Sequence, residues 1–221
     1  MARSIATLVT DPSSFFASRE ASPGRLGPVV VVALTGAMTL FAQLLLVSMT
    51  VVGSQPTIEY VTHAVRVQLP AVSVVGAAIS FGHVFGYWLA YALVFVLVTR
   101  LFGAAENPRS TMVLAGWGFF PWALSGAVWL LAMIASAGTT PAPEMASGNA
   151  AFVQAVQATP LVEATRLLDH VAVVWSLGLW TILLRTVRGV GLLQAAVAVL
   201  PVAVFELLKV HVLFSSRCFN A

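Results

Sequence analysis

The sequence predicts an all-α fold, an integral membrane bundle of five transmembrane helices with short interfacial helices. Three observations predict it. Hydrophobic residues make up 59% of the 221 residues and charged residues only 9%, whereas soluble domains carry about 25% charged residues. Mean hydropathy is +0.95, leaving too little polar surface to clothe a water-soluble particle. The apolar residues also come in long uncharged stretches separated by short polar turns. No polar linker divides the chain, so it reads as one domain.

Charge and cysteine content exclude several classes. Eleven basic residues against eight acids give a net charge of +3, spread thinly, with no basic run of the kind that binds nucleic acid. The bilayer is the first partner, and no nucleic-acid partner is expected. Cys218 is the single cysteine, so no disulfide or thiolate metal cluster forms within one chain. The first 25 residues carry acids and no continuous apolar run, an argument against a cleaved signal peptide. Abundant Arg, Ala and Val point to a prokaryotic source and its cell membrane.

Residues 1–28 read as a cytoplasmic or interfacial segment. Ile5, Leu8 and Val9 share a face of a short helix ending at Asp11. Asp11 is then the N-cap, and Pro12 the first position, of a second helix. That helix should lie in the interface, with Phe15 and Phe16 in the membrane and Arg19 out. The membrane domain is 29–214, and its first span is 29–52, long enough for the roughly 20 residues a crossing needs. Residues 57–68 place Ile58, Val61 and Val65 at helical spacing, predicting a short surface helix. The second span, 72–97, contains Gly82-x-x-x-Gly86, a spacing that allows another helix to approach closely. A turn at 103–110 leads to the third span, 112–135, which is rich in aromatics and which Pro121 should kink.

The longest polar connection follows, with short helices expected at 150–158 and 161–168 lying on the membrane surface. The last two spans, 168–186 and 190–212, are weaker. Their uncharged stretches 170–184 and 189–205 cover roughly 22 and 26 Å, short of the ~30 Å hydrocarbon core. A tight turn at 185–191 joins them, and 215–221 forms a C-terminal tail. Five spans place Arg3, Arg19, Arg25, Arg100, Arg109, Arg185 and Arg188 on one side, and Arg66, Arg166, Lys209 and Arg217 on the other. Seven against four predicts a cytoplasmic N-terminus and an external C-terminus.

Three stretches carry a family resemblance: DPSSFF at 11–16, RLFGAAENPRSTMVLAGWGFFP at 100–121, and VWSLGLWTILLRTVRGVGLLQAAVAVLP at 174–201. In this order and spacing they resemble the Yip family, the Ypt/Rab-GTPase-interacting membrane proteins and their prokaryotic relatives. The resemblance implies five helices, a cytoplasmic N-terminus and a non-enzymatic role in membrane organisation or trafficking-like protein binding. Eukaryotic members carry a longer cytosolic N-terminal region implicated in GTPase contact. With only residues 1–28 ahead of the first span here, a small GTPase is not the expected partner.

Few residues are candidates for chemistry. Gln43 and His83 form an intramembrane polar pair of candidates, because polar groups are costly there and need a purpose or a partner. Glu206 and Lys209, three apart on one helical face, are expected to pair near the outer boundary. Gly82, Gly86, Gly116 and Pro121 are expected to shape the helix packing. Arg19, Arg100, Arg109 and Arg188 should meet lipid headgroups or an acidic partner on the cytoplasmic face. No GxSxG, HExxH, P-loop or dinucleotide fingerprint is present, so no catalytic residue, metal or cofactor is expected. The favoured reading is a scaffold or interaction module that packs against other membrane proteins or itself. The alternative is a small permease or channel between the first three spans, lined by Gln43 and His83.

Overall fold

The computed structural model describes residues 2–20, 24, 26–50, 57–61, 66–104, 108–140 and 148–218. Outside these lie Arg25, 62–65 of the expected surface helix, 105–107 of the expected turn, 141–147 of the long connection and 219–221 of the tail. The described residues are helical apart from one short hairpin and the connecting turns. Helices α1 (Ala2–Thr10) and α2 (Pro12–Glu20) precede α3 (Leu26–Thr50). Strands β1 (Thr57–Val61) and β2 (Arg66–Pro70) lead into α4 (Ala71–Leu101). Next come α5 (Pro108–Leu114), a 3-10 segment (Ala115–Phe119), α6 (Phe120–Thr139), α7 (Gly148–Gln157), α8 (Pro160–Arg188) and α9 (Leu192–Cys218).

Five stretches are long and apolar enough to cross a bilayer: Leu26–Leu46, Val74–Leu101, Pro108–Thr139, Pro160–Arg188 and Leu192–Lys209. Leu93, Leu131, Val174 and Leu193 point away from the protein as exposed apolar side chains. Such a surface is stable against hydrocarbon, where each helix satisfies its own backbone groups. The chain is a multi-pass membrane protein.

Local chemistry sets the helix ends. The Ser14 backbone N–H donates to Asp11 Oδ1 at 3.1 Å, with Pro12 in the first turn, where no N–H is needed. The α4 C-terminus closes through Gly103 at φ 73°. There the Gly103 N–H bonds Arg100 O at 3.0 Å and the Ala104 N–H bonds Thr99 O at 3.2 Å. This left-handed residue recovers carbonyls that the helix end would otherwise leave open. Gly191 precedes α9, and its N–H donates to Gln194 Oε1 at 2.9 Å, the reciprocal half of a capping box.

Four expectations need correction. Residues 57–61 and 66–70 form an antiparallel hairpin rather than a surface helix, in a register pairing Ile58 with Leu69, Glu59 with Gln68 and Tyr60 with Val67. Those three central pairs match apolar with apolar and polar with polar, and β-branched and aromatic residues favour strand over helix. The segment 161–168 is not a separate cap helix, because α8 runs unbroken from Pro160 to Arg188. No Pro or Gly interrupts it near Asp169, and the fourth span gains the length that its charge-free window lacked.

Third, Pro121 does not kink a continuous helix. The third span is broken by the 3-10 segment, and Pro121 lies in the first turn of α6, where its missing N–H is harmless. The Trp117 carbonyl that an α-helical residue 121 would have used accepts the Phe120 N–H instead. Fourth, Phe15 and Phe16 are fully buried in protein rather than laid into lipid.

Contacts divide the chain into two compact units. The first comprises Met1–Val32, Phe85–Trp122 and Asp169–Ala221. Here Phe15 meets the Trp117 ring edge-on, with centroids 5.0 Å apart. Ser110 Oγ donates to Glu20 O at 3.3 Å, tying α2 to α5. The 3-10 segment is packed through its glycines. A Cβ on Gly116 would stand 2.9 Å from Pro28 Cβ and 3.2 Å from Val32 Cγ2. Gly118 lies flat under the Trp180 indole, with no room for any side chain. Trp180 in turn meets Tyr91, Phe95 and Phe119 at 5.5, 5.6 and 5.7 Å between centroids.

The second unit comprises Ala33–Val84 and Ala123–Leu168. Its core gathers Ala132, Met133, Val156 and Val162, with Leu45, Leu46, Trp129, Ala137 and Phe152 against them. Small residues set its approaches as well: a Cβ on Gly36 would fall 2.9 Å from Phe81 Cδ2, and one on Gly126 would fall 3.0 Å from Met38 Cβ. Thr159 Oγ1 donates to Ser136 Oγ at 2.8 Å, a hydroxyl pair that docks the loop before α8 onto α6.

Candidate functional site

The polar chemistry of the first unit gathers in two places, and the first is a buried network on α4 and α9. Glu206 is 2% exposed, and a lone carboxylate there would be very costly. Two partners compensate it. The Tyr91 hydroxyl donates a hydrogen bond to Glu206 Oε1, and Lys209 Nζ forms an ion pair with Oε2 at 2.5 Å. The ammonium also lies over aromatic faces, 5.3 Å from the Tyr87 centroid, 5.1 Å from Trp122 and 6.0 Å from Phe205. These faces offer the negative end of the ring quadrupole to the cation. Chemically this is a net-neutral set that clamps α9 to α4.

Helical spacing had already placed Glu206 beside Lys209. Tyr91 was not foreseen, and nothing local in the sequence joins it to a carboxylate 115 residues away. The aromatic ring set around Lys209 was likewise invisible, since aromatics populate all five spans.

The second place is the C-terminal turn of α8. Arg188 was expected on the cytoplasmic surface, but the structure buries it, at 1% exposure. Its Nε donates to Thr99 Oγ1 at 3.1 Å. The Thr99 hydroxyl spends its own proton on Phe95 O at 2.6 Å. The two terminal nitrogens of the guanidinium, Nη1 and Nη2, are buried without a hydrogen-bond partner.

The other expected surface arginines differ from one another. Arg100 and Arg109 are exposed. Arg19 is held along α2, its guanidinium 3.8 Å above the Phe15 ring and bonded to Phe15 O at 3.1 Å.

In the second unit Gln43 Nε2 donates to Ser80 Oγ at 2.8 Å, so a hydroxyl one turn before His83 takes the amide. His83 is exposed on α4, as are Gly82 and Gly86. Gly116 is the one of the three expected packing glycines that meets a neighbour: within 4 Å of the Cβ positions of Gly82 and Gly86 there is nothing among the described residues. Among the described residues, no group of three or more His, Cys, Asp or Glu is placed to hold a metal ion.

Nothing among curated proteins or solved structures matches the chain. A family model described as the Yip1 domain matches residues 5–213. That interval takes in the capped helix α2, all five candidate spans and both buried polar sites, and it places this chain in the Yip1 domain family.

Proposed function

We propose that this protein is a non-enzymatic membrane scaffold, an interaction module of the Yip type with a cytoplasmic N-terminus. Its partners are transmembrane helices of other membrane proteins or of a second copy of itself, in a membrane-organising, trafficking-like role. The observation that carries this reading is the outer face of α4. Val75, Ile79, Leu89, Leu93 and Leu97 are exposed there, at three- and four-residue steps with exposed Gly82 and Gly86 between them. Such spacing makes one continuous apolar stripe, and the glycine pair lets a second helix backbone come close. The excess of arginine at the ends of α4, α5 and α8 supports the cytoplasmic assignment of that side.

The test is mild crosslinking in native membranes, followed by energy transfer between labelled copies in liposomes. Gly82→Leu with Gly86→Leu should abolish the dominant crosslink while leaving the thermal midpoint within a few degrees of the parent. A wild-type chain that stays alone under both measurements, unaltered by the glycine pair or by Arg109→Glu, overturns the reading.

A further inference from the structure

We propose that Arg188 and Arg100 form a binding site for a phosphate group, supplied by an anionic phospholipid headgroup at the membrane interface. Arg188 Nε is anchored on Thr99 Oγ1 at 3.1 Å, leaving Nη1 and Nη2, both buried, without an acceptor. A guanidinium presents its donors as a rigid fork whose natural complement is a pair of oxygens on a phosphate or carboxylate. A buried cation without such a counter-charge is strongly disfavoured, and no described residue hydrogen-bonds to these atoms. Arg100, the residue after Thr99, adds a second positive charge that acts on Arg188. A buried fork with no acceptor among the described residues, beside the last turn of α4, describes a site for an exogenous anion.

Position selects the lipid. Arg188 ends the fourth candidate span and Arg100 lies in the last turn of the second, the level at which headgroup phosphates lie. The turn that folds back on Thr99, through the Phe102 N–H at 3.1 Å and the Ala104 N–H at 3.2 Å, carries the exposed residues Leu101, Phe102 and Gly103. The same Thr99 holds the fork through its hydroxyl. Arg188, Thr99 and Arg100 share no residue with the exposed stripe of α4, so the scaffold reading and this one fail separately.

The experiment measures binding of phosphatidylglycerol, of phosphatidylcholine and of inorganic phosphate to the purified full chain in a nonionic detergent. Lipids are counted by native mass spectrometry and affinities taken by titration. Phosphatidylglycerol should bind at one molecule per chain, and Arg188→Gln should weaken it about tenfold or more, the effect of losing charge-assisted hydrogen bonds. Arg188→Lys keeps the charge without the fork and should fall between the two, while Arg166→Gln, at the other end of α8 in a surface pair with Glu163, should match wild type.

Inorganic phosphate that binds and displaces the lipid in an Arg188-dependent way would confirm the phosphate chemistry and assign the site to free phosphate. Phosphate without effect, together with Arg188-dependent lipid binding, assigns it to the headgroup. If Arg188→Gln does not fold, Arg188→Lys and Arg100→Gln carry the test through their several-fold losses. Equal lipid affinity in wild type and in every folded variant, or no binding of either probe, overturns the proposal.

Discussion

Tyr91 on α4 and Glu206 on α9, 115 residues apart in the chain, share a buried hydrogen bond. Lys209 closes the other side of the carboxylate at 2.5 Å. Each group offsets a burial cost that its neighbour would otherwise bear alone. Lys209→Met strands the Glu206 charge and should destabilise the protein by about 3–5 kcal/mol, read as a lower thermal midpoint in detergent. Tyr91→Phe removes one donor only and should cost about 1–3 kcal/mol. Replacing both ions together, Glu206→Leu with Lys209→Met, should recover most of the loss, since an apolar pair leaves no charge to solvate. A double variant as unstable as Lys209→Met alone would contradict this account.

Gly118 supports Trp180, whose indole N–H donates to Ala115 O at 2.9 Å. Gly118→Ala drives a methyl into a ring held on several sides and should destabilise by about 1–3 kcal/mol. Gly82→Ala, where nothing among the described residues lies within 4 Å, should be close to neutral in the isolated chain. Comparable losses at the two glycines would mean that the Trp180 contact does not set the spacing.

Pro121 stands in the first turn of α6, so it acts by restricting the unfolded chain. Pro121→Ala should lower stability by only about 0.4–1 kcal/mol. The 3-10 break ahead of it should persist, visible as unchanged near-ultraviolet dichroism from Trp117 and Trp180. A large loss of stability would show that the ring itself holds the break open.

Asp11 links pH to the N-terminal helices. Hydrogen bonds from the Ser14 hydroxyl and backbone N–H hold its carboxyl below the ordinary carboxylate range. A folded-state value below the unfolded one means that the cap's contribution is present above about pH 4. It is lost as pH falls through the folded-state value. Amide exchange in α2 should therefore accelerate below pH 4 in wild type, and Asp11→Ala should show fast exchange at neutral pH with no such acid step. An acid step that survives Asp11→Ala would place the titration elsewhere.

Much of this architecture was legible in the residues alone. Five spans follow from runs of uncharged apolar residues, because crossing a bilayer depends on local length and hydropathy. The Asp11–Pro12 helix start and the Glu206–Lys209 pair are also local, set by capping chemistry and by the three-residue step of a helix. Charge-window length misread the fourth span, since an interfacial Asp169 interrupts a hydropathy count without interrupting the helix. Helical spacing misread 57–70, where four-residue steps and alternation coexist and strand pairing decides.

The tertiary structure alone decided which apolar faces meet. Lipid and protein are almost equally good surroundings for Leu, Val and Phe, so no span announces its neighbour. Only the packed helices show Phe15 on Trp117, Gly118 under Trp180, Gln43 on Ser80 and Tyr91 on Glu206. They also turned Arg188 from a surface charge into a buried, half-satisfied fork. Composition and periodicity determine that a helix enters the membrane; how side chains from distant segments interlock determines where its few polar groups find their partners.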